Sequence, residues 1–339
     1  MPANIRPPYD PELAAALTLL AGQAPPTVTS DMIELLRAAP ITVPIEQVLD
    51  GREVSHRELM VPGHQGDDIA LSVLARNDHD APGPGIYYIH SGGMFTGDRF
   101  TGVGMALDWV EQFDAVCVSV EYRLAPEFRD PFLIEDCYAG LVWTADRAAE
   151  LGIDAKSLMI VGGSAGGGLA AGTALLARDR QGPQLSGQVL VCPMLDDRNQ
   201  TVSSHQFVGV GVWDRDSNAT GWAAYLGDRH GTDDVSRYAA PSRATDLSGL
   251  PPAYIDVGSA EVFRDEAVDY ASQIWADGGV AELHVWSGGC HGFDLLAPDA
   301  RVSKESVRTR TNWVARHLGC GIRASGPARN ASTSAANSA

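Results

Sequence analysis

Basic residues are scarce: 25 Lys plus Arg stand against 43 Asp plus Glu in 339 residues, a formal net charge of −18. So acidic a chain repels phosphate backbones and anionic membrane surfaces, which argues against nucleic acid or a membrane as partner. Long hydrophobic runs are missing too. The apolar stretch near the start, residues 13–21, is about half of the roughly 20 residues a spanning helix needs. Asp10 and Glu12 stand where a signal peptide would carry positive charge, so a cytoplasmic protein is expected. Paired cysteines are not indicated either. Cys117, Cys137, Cys192, Cys290 and Cys320 are odd in number, lack C-x-x-C spacing and read as reduced thiols. Neither they nor the nine histidines show zinc-ligand spacing, so no metal and no cofactor are expected. There is no internal repeat of 20–50 residues.

What the chain does have is apolar mass, 45% of its residues, enough for a sizeable core. Two helical patterns, 11–22 and 31–39, come first, the second with Asp31 three residues before Glu34 in capping-box spacing. Eight β-rich runs follow, at 56–61, 69–74, 85–90, 115–120, 158–161, 188–192, 253–257 and 281–286. Helical patterns at 102–112, 133–151, 166–180, 265–277 and 304–318 alternate with them. Nearly continuous apolar strands separated by helices predict an α/β fold with a mostly parallel eight-stranded sheet covered on both faces. Residues 196–250 are too long for an ordinary connection and read as an inserted helical segment. With residues 1–50 it would form a cap over a core split between 51–195 and 251–320, while 321–339 is expected to be a disordered tail.

The strongest local signal is Gly162-Gly163-Ser164-Ala165-Gly166, directly after an apolar strand and before an Ala/Leu-rich helix. A G-x-S-x-G in that context is a nucleophile elbow, with the serine hydroxyl above the sheet and the Ala165 amide facing the same space. Gly166 to Ala171 also loosely satisfies a dinucleotide G-x-G-x-x-A pattern, but its glycines begin inside the helix. The second signal is His90-Ser91-Gly92-Gly93, whose glycine amides can converge on one point as an oxyanion hole. The third is His291, which follows the last strand on a loop that can carry a general base over Ser164. Between serine and histidine lie Glu261, just past a strand, and Asp265 and Glu266, in the next helical turn; Glu261 is the favoured acid and Asp265 the reserve.

These residues resemble the hormone-sensitive-lipase-like family of α/β-hydrolase esterases over about residues 85–318. The most specific element is Tyr122-Arg123-Leu124-Ala125-Pro126-Glu127, followed by Asp136. The resemblance implies an α/β-hydrolase fold, with Ser164 as nucleophile, His291 as base, Glu261 as acid and Gly92, Gly93 and Ala165 as oxyanion donors. A homodimer is expected on the same footing. Three departures stand out: Ser91 replaces the first glycine of H-G-G-G, Gly163 replaces the aspartate of G-D-S-A-G, and Glu261-Val262-Phe263 replaces D-P-L.

The function expected is serine carboxylesterase activity on short- to medium-chain acyl esters, small-molecule substrates handled through an acyl-enzyme. An amidase or deacetylase using the same residues is the alternative, and a non-catalytic receptor a remoter one. An unperturbed histidine base implies activity rising near pH 6–7. Phe207, Trp213, Trp222 and Tyr225 are read as a cap core or as the wall of an apolar pocket. Tyr122, Arg123 and Glu127 are read as loop-holding residues.

Overall fold

The computed structural model describes residues 5–22, 25–38 and 43–319; the predicted tail and Cys320 lie outside them. Three short helices open the chain: α1 (Pro11–Ala21), α2 (Ile33–Ala38) and α3 (Ile45–Val48). Asp31 sits inside a 3-10 turn, Ser30–Met32, that precedes α2, so the expected capping box gives way to a tighter entry. Eight strands follow: β1 (Val54–Pro62), β2 (Asp68–Arg76), β3 (Gly83–Ile89), β4 (Val116–Val120), β5 (Ile153–Gly163), β6 (Gly187–Val191), β7 (Ala253–Gly258) and β8 (Ala281–Trp286). They form one sheet in the order β1-β2-β4-β3-β5-β6-β7-β8. The β1–β2 and β2–β4 pairs are antiparallel, and β3 to β8 run parallel.

Between the strands lie α4 (Gly104–Phe113), α5 (Phe132–Asp146), α6 (Ala165–Asp179), α7 (Val202–Gln206), α8 (Arg215–Leu226) and α9 (Arg264–Ala276); α10 (Phe293–Leu296) and α11 (Arg301–Leu318) follow β8. Neighbouring strand residues point to opposite faces, and β3 shows what each face meets. Tyr87 donates to the Cys137 carbonyl in α5 at 2.8 Å, while Tyr88 donates to the Thr101 carbonyl just before α4 at 2.9 Å. Both rings are buried with their hydroxyls satisfied, so the apolar run of β3 is explained by cover on two sides.

Residues 196–250 hold α7 and α8 with 3-10 turns and no strand. Thr201 and Asp214 cap the two helices through Ser204 N and Ser217 N. The N-terminal segment docks here: Thr27 Oγ1 donates to Asp214 Oδ2 and Val28 N to Ser217 Oγ, both at 2.8 Å. The expected helix 133–151 stops earlier, at Asp146, in turns that end at Gly152 with φ 75°.

Candidate active site

Where β5 runs into α6 the chain turns within one residue, and Ser164 takes φ 55°, ψ −123°. That conformation is strained for a residue with a side chain and needs anchors. Ser164 N donates to Val191 O at 2.8 Å, while its carbonyl accepts Gly168 N at 3.1 Å and Met194 N at 3.0 Å. A Cβ on Gly162 would stand 2.1 Å from the Gly166 carbonyl oxygen, so only glycine allows the turn. At Gly163 the nearest atom would be 3.8 Å away, and its φ is not positive. The backbone at 163 therefore does not require glycine. Gly163→Ala is expected to raise stability by about 0.5 kcal/mol and keep activity, whereas Gly162→Ala unfolds the elbow; thermal melts and initial rates of both variants check this.

His291 follows β8 in a turn held against the loop after β7. Ala260 N donates to Gly289 O at 2.9 Å and Ser259 N to Trp286 O at 2.8 Å. This backbone pairing brings Glu261 beside His291. Glu261 Oε2 lies 2.7 Å from His291 Nδ1, and His291 Nε2 lies 3.0 Å from Ser164 Oγ. The second carboxylate oxygen accepts Gly258 N at 2.7 Å. Glu261 is 2% and His291 9% exposed, while Ser164 is only half-buried and can meet a ligand. Burial disfavours the imidazolium, but the neighbouring Cys192 sulfur and Glu261 carboxylate outweigh it and hold the ring well above its ordinary range.

The other carboxylates are committed elsewhere. Asp265 accepts Ser203 N at 2.7 Å and Arg264 Nε at 2.6 Å. Glu266 accepts the amides of Leu195 and Asp196, and burial pushes its carboxyl well above the usual range. Asp256 pairs with Arg310, both 2% exposed.

On the opposite side of Ser164, β3 leads into His90-Ser91-Gly92-Gly93. Gly92 has φ 124°, and a Cβ there would lie 1.9 Å from the Thr96 carbonyl oxygen. Ser91 is not among the residues with positive φ, so a serine replaces the first glycine without strain. The Gly92 and Gly93 amides have no acceptor among the described residues and remain able to receive a ligand oxygen. Burial lowers His90 to about 4, so its ring is neutral; it stacks on Tyr122 with centroids 4.1 Å apart. Tyr122 also donates to the His90 carbonyl at 3.0 Å, and Arg123 grips Asp136. The Tyr122–Glu127 segment thus holds loops together, in keeping with the structural reading of its Arg and Tyr.

Of the four aromatics in the inserted segment, Phe207, Trp222 and Tyr225 are buried packing residues. Trp213 is different. It stacks on Phe95 at 6.1 Å, and its ring edge would come 2.6 Å from a Cβ on Gly93. Cys192, which the sequence marks only as a reduced thiol, lies beside the Glu261–His291 pair. Its sulfur, Glu261 and His291 bring ligand-type atoms within 4.8 Å of one another, but the carboxylate and the ring are already engaged by each other, Gly258 and Ser164. Strand order explains the neighbourhood: β6 pairs with β5 through Val191 and Gly163, which puts Cys192 beside the elbow.

A mostly parallel sheet of this order, with a strained serine at the β5 end and a histidine after β8, defines an α/β hydrolase. The family described as alpha/beta hydrolase fold matches residues 86–295. The chain belongs to this hormone-sensitive-lipase-like family and is a carboxylic ester hydrolase. It is 30% identical over 285 residues to Esterase LipI of Mycobacterium tuberculosis, covering 79% of this chain and 88% of that protein. It is 36% identical over 222 residues to Carboxylesterase NlhH of the same species, covering 64% and 69% respectively. Among solved structures, Bacterial Heroin Esterase superposes with a TM-score of 0.83 at 37% identity, covering 91% of this chain and 98% of that one. Esterase LipW from Mycobacterium marinum gives 0.81 at 30%, covering 92% and 98%. Among the described residues no helix is long and apolar enough to cross a membrane.

Proposed function

We propose that the protein is a serine carboxylesterase for short- to medium-chain acyl esters and works through an acyl-enzyme. The observation that carries this is the unbroken hydrogen-bond chain Gly258 N, Glu261, His291, Ser164. His291 Nε2 takes the Ser164 proton as Oγ attacks the ester carbonyl, and the amides of Gly92, Gly93 and Ala165 receive the oxyanion. The His291 proton passes to the departing alkoxide, which leaves as the alcohol. Water, deprotonated by the same nitrogen, then releases the acid and restores Ser164. Glu261 keeps the Nδ1 proton in place and stabilises the imidazolium formed in each step.

Residues 1–50 and 196–250 act as the cap in this reading, over a Ser164 that is only half-buried. The described cysteines are all unpaired and buried, which fits a reducing cytoplasm. The test is a p-nitrophenyl ester series from acetate to decanoate with quench-flow and mass spectrometry. The expected result is a maximum at short to medium chains, a burst of p-nitrophenol and one acyl group on the Ser164 peptide. A maximum at decanoate, or no acyl group on that peptide under burst conditions, would overturn the reading. Trp213, wedged against Gly93, limits chain length in this scheme. Trp213→Ala is expected to move the optimum toward longer acyl chains, by about tenfold in the decanoate-to-acetate ratio of kcat/KM; an unchanged ratio would assign Trp213 to the cap interior.

A further inference from the structure

The loop that presents the Gly92 and Gly93 amides is built from residues with positive φ: 124° at Gly92, 61° at Gly93 and 71° at Met94. Glycine peptides in that region have other conformations close by in energy, so the amides point to one place only if the loop is tied from outside. A planar peptide links each carbonyl rigidly to the next amide, and tying carbonyls therefore aims N–H groups. The Gly92 carbonyl accepts Phe95 N at 3.2 Å and Thr96 N at 3.0 Å, and the Met94 carbonyl accepts Ala125 N at 3.0 Å. The Phe95 carbonyl is held by a side chain from far along the chain, Arg37, whose Nε donates to it at 2.7 Å.

The same guanidinium also reaches the segment that holds the Met94 carbonyl. Arg37 Nη2 donates to the Ala125 carbonyl, and the two Nη atoms clamp the Glu127 carboxylate at 2.8 and 2.9 Å. The Arg37 and Glu127 side chains are 27% and 56% exposed, so the ion pair contributes little to stability. Its consequence is geometric. A planar fork of five donors can hold two carbonyls and a carboxylate in fixed relation, which an ammonium cannot. Phe95 transmits the constraint, since its ring edge would lie 2.9 Å from a Cβ on Gly93.

We propose that Arg37, on α2, is a positioning residue that fixes the oxyanion loop through the Phe95 and Ala125 carbonyls, making the N-terminal segment part of the catalytic apparatus. This rests on the reading of Gly92 and Gly93 as oxyanion donors. Arg37 touches no reacting atom; it acts through the loop.

The test compares Arg37→Ala, Arg37→Lys and Glu127→Gln with the unaltered chain. Readouts are kcat and KM for p-nitrophenyl acetate, and the affinities of an alkyl trifluoromethyl ketone, which becomes tetrahedral on Ser164, and of a planar acetamide of the same size. For Arg37→Ala we expect kcat to fall about 10- to 100-fold, less than or equal to the loss of one whole donor, with KM within about threefold. Trifluoromethyl ketone affinity falls by the same factor as kcat/KM and acetamide affinity does not change. Low millimolar guanidinium chloride restores part of the rate, with sodium chloride as control, and Arg37→Lys lies between. An unchanged kcat, a rise in KM alone, or an undiminished ketone affinity overturns the proposal and leaves Arg37 a strap. Should Arg37→Ala fail to fold, Glu127→Gln decides: a severalfold loss in both kcat and ketone affinity supports the proposal, and no loss overturns it. If the unaltered chain binds the ketone no better than the acetamide, the oxyanion reading itself falls.

Discussion

Ser164→Ala is expected to lower kcat/KM for p-nitrophenyl acetate by about 10⁴- to 10⁶-fold without unfolding the protein. In the proposed mechanism the size follows from covalency: without Oγ no acyl-enzyme would form, and His291 Nε2 loses the proton donor 3.0 Å away. Residual turnover would come from water attacking an ester polarised by the Gly92 and Gly93 amides. The fold should survive because alanine meets the same backbone constraint as serine at φ 55°, and the anchors to Val191, Gly168 and Met194 are backbone bonds. The melting temperature should stay level or rise, as expected when a group at a strained site is removed. Residual activity above about 1% of the unaltered rate, with contaminating esterase excluded by active-site titration, would mean another nucleophile.

The parts of the site carried by contiguous motifs were legible in the sequence, because strong local requirements leave marks in residue type. A strand-to-helix turn with backbone oxygens 2.1 Å from a would-be Cβ forces glycine at 162, whatever else changes. The same holds for Gly92, and for the apolar runs of the central strands β3, β4, β6 and β7, which are buried nearly throughout. What did not show was long-range contact. Arg37 lies 58 residues before the carbonyl it holds, on a helix with no motif of its own. Cys192 meets His291 only because β6 lies beside β5 and its chain end bends there with φ 37°. Both depend on strand order and on where the N-terminal segment docks, which no local pattern encodes. The pH expectation shifts for the same reason: a solitary histidine suggests 6–7, whereas the Glu261 carboxylate beside His291 raises its midpoint.

Glu261→Gln is expected to reduce kcat by about 10⁴-fold, and Asp265→Asn by less than about tenfold. The difference lies in what each carboxylate holds. Glu261 accepts the Nδ1 proton of His291, which leaves the Nε2 lone pair facing Ser164; a glutamine can offer its amide N–H to Nδ1 instead, moving the ring proton to Nε2, where it cannot act as base. Asp265 holds Ser203 N and Arg264, so its loss loosens the entry to α7 at a cost of about 1 kcal/mol in stability. The pH profile separates charge from placement. His291 must be neutral to accept the serine proton, and its raised pKa means that kcat/KM climbs with pH through a midpoint above the ordinary histidine value near 6.5. Removing the Glu261 charge takes away part of what stabilises the imidazolium, so in Glu261→Gln the residual rate should climb through a lower midpoint. Asp265→Asn should leave the midpoint where it is. Rates from pH 5 to 10 for the three proteins settle the assignment: equal losses in both variants, or a midpoint that moves with Asp265 and not with Glu261, would transfer the acid's role to Asp265.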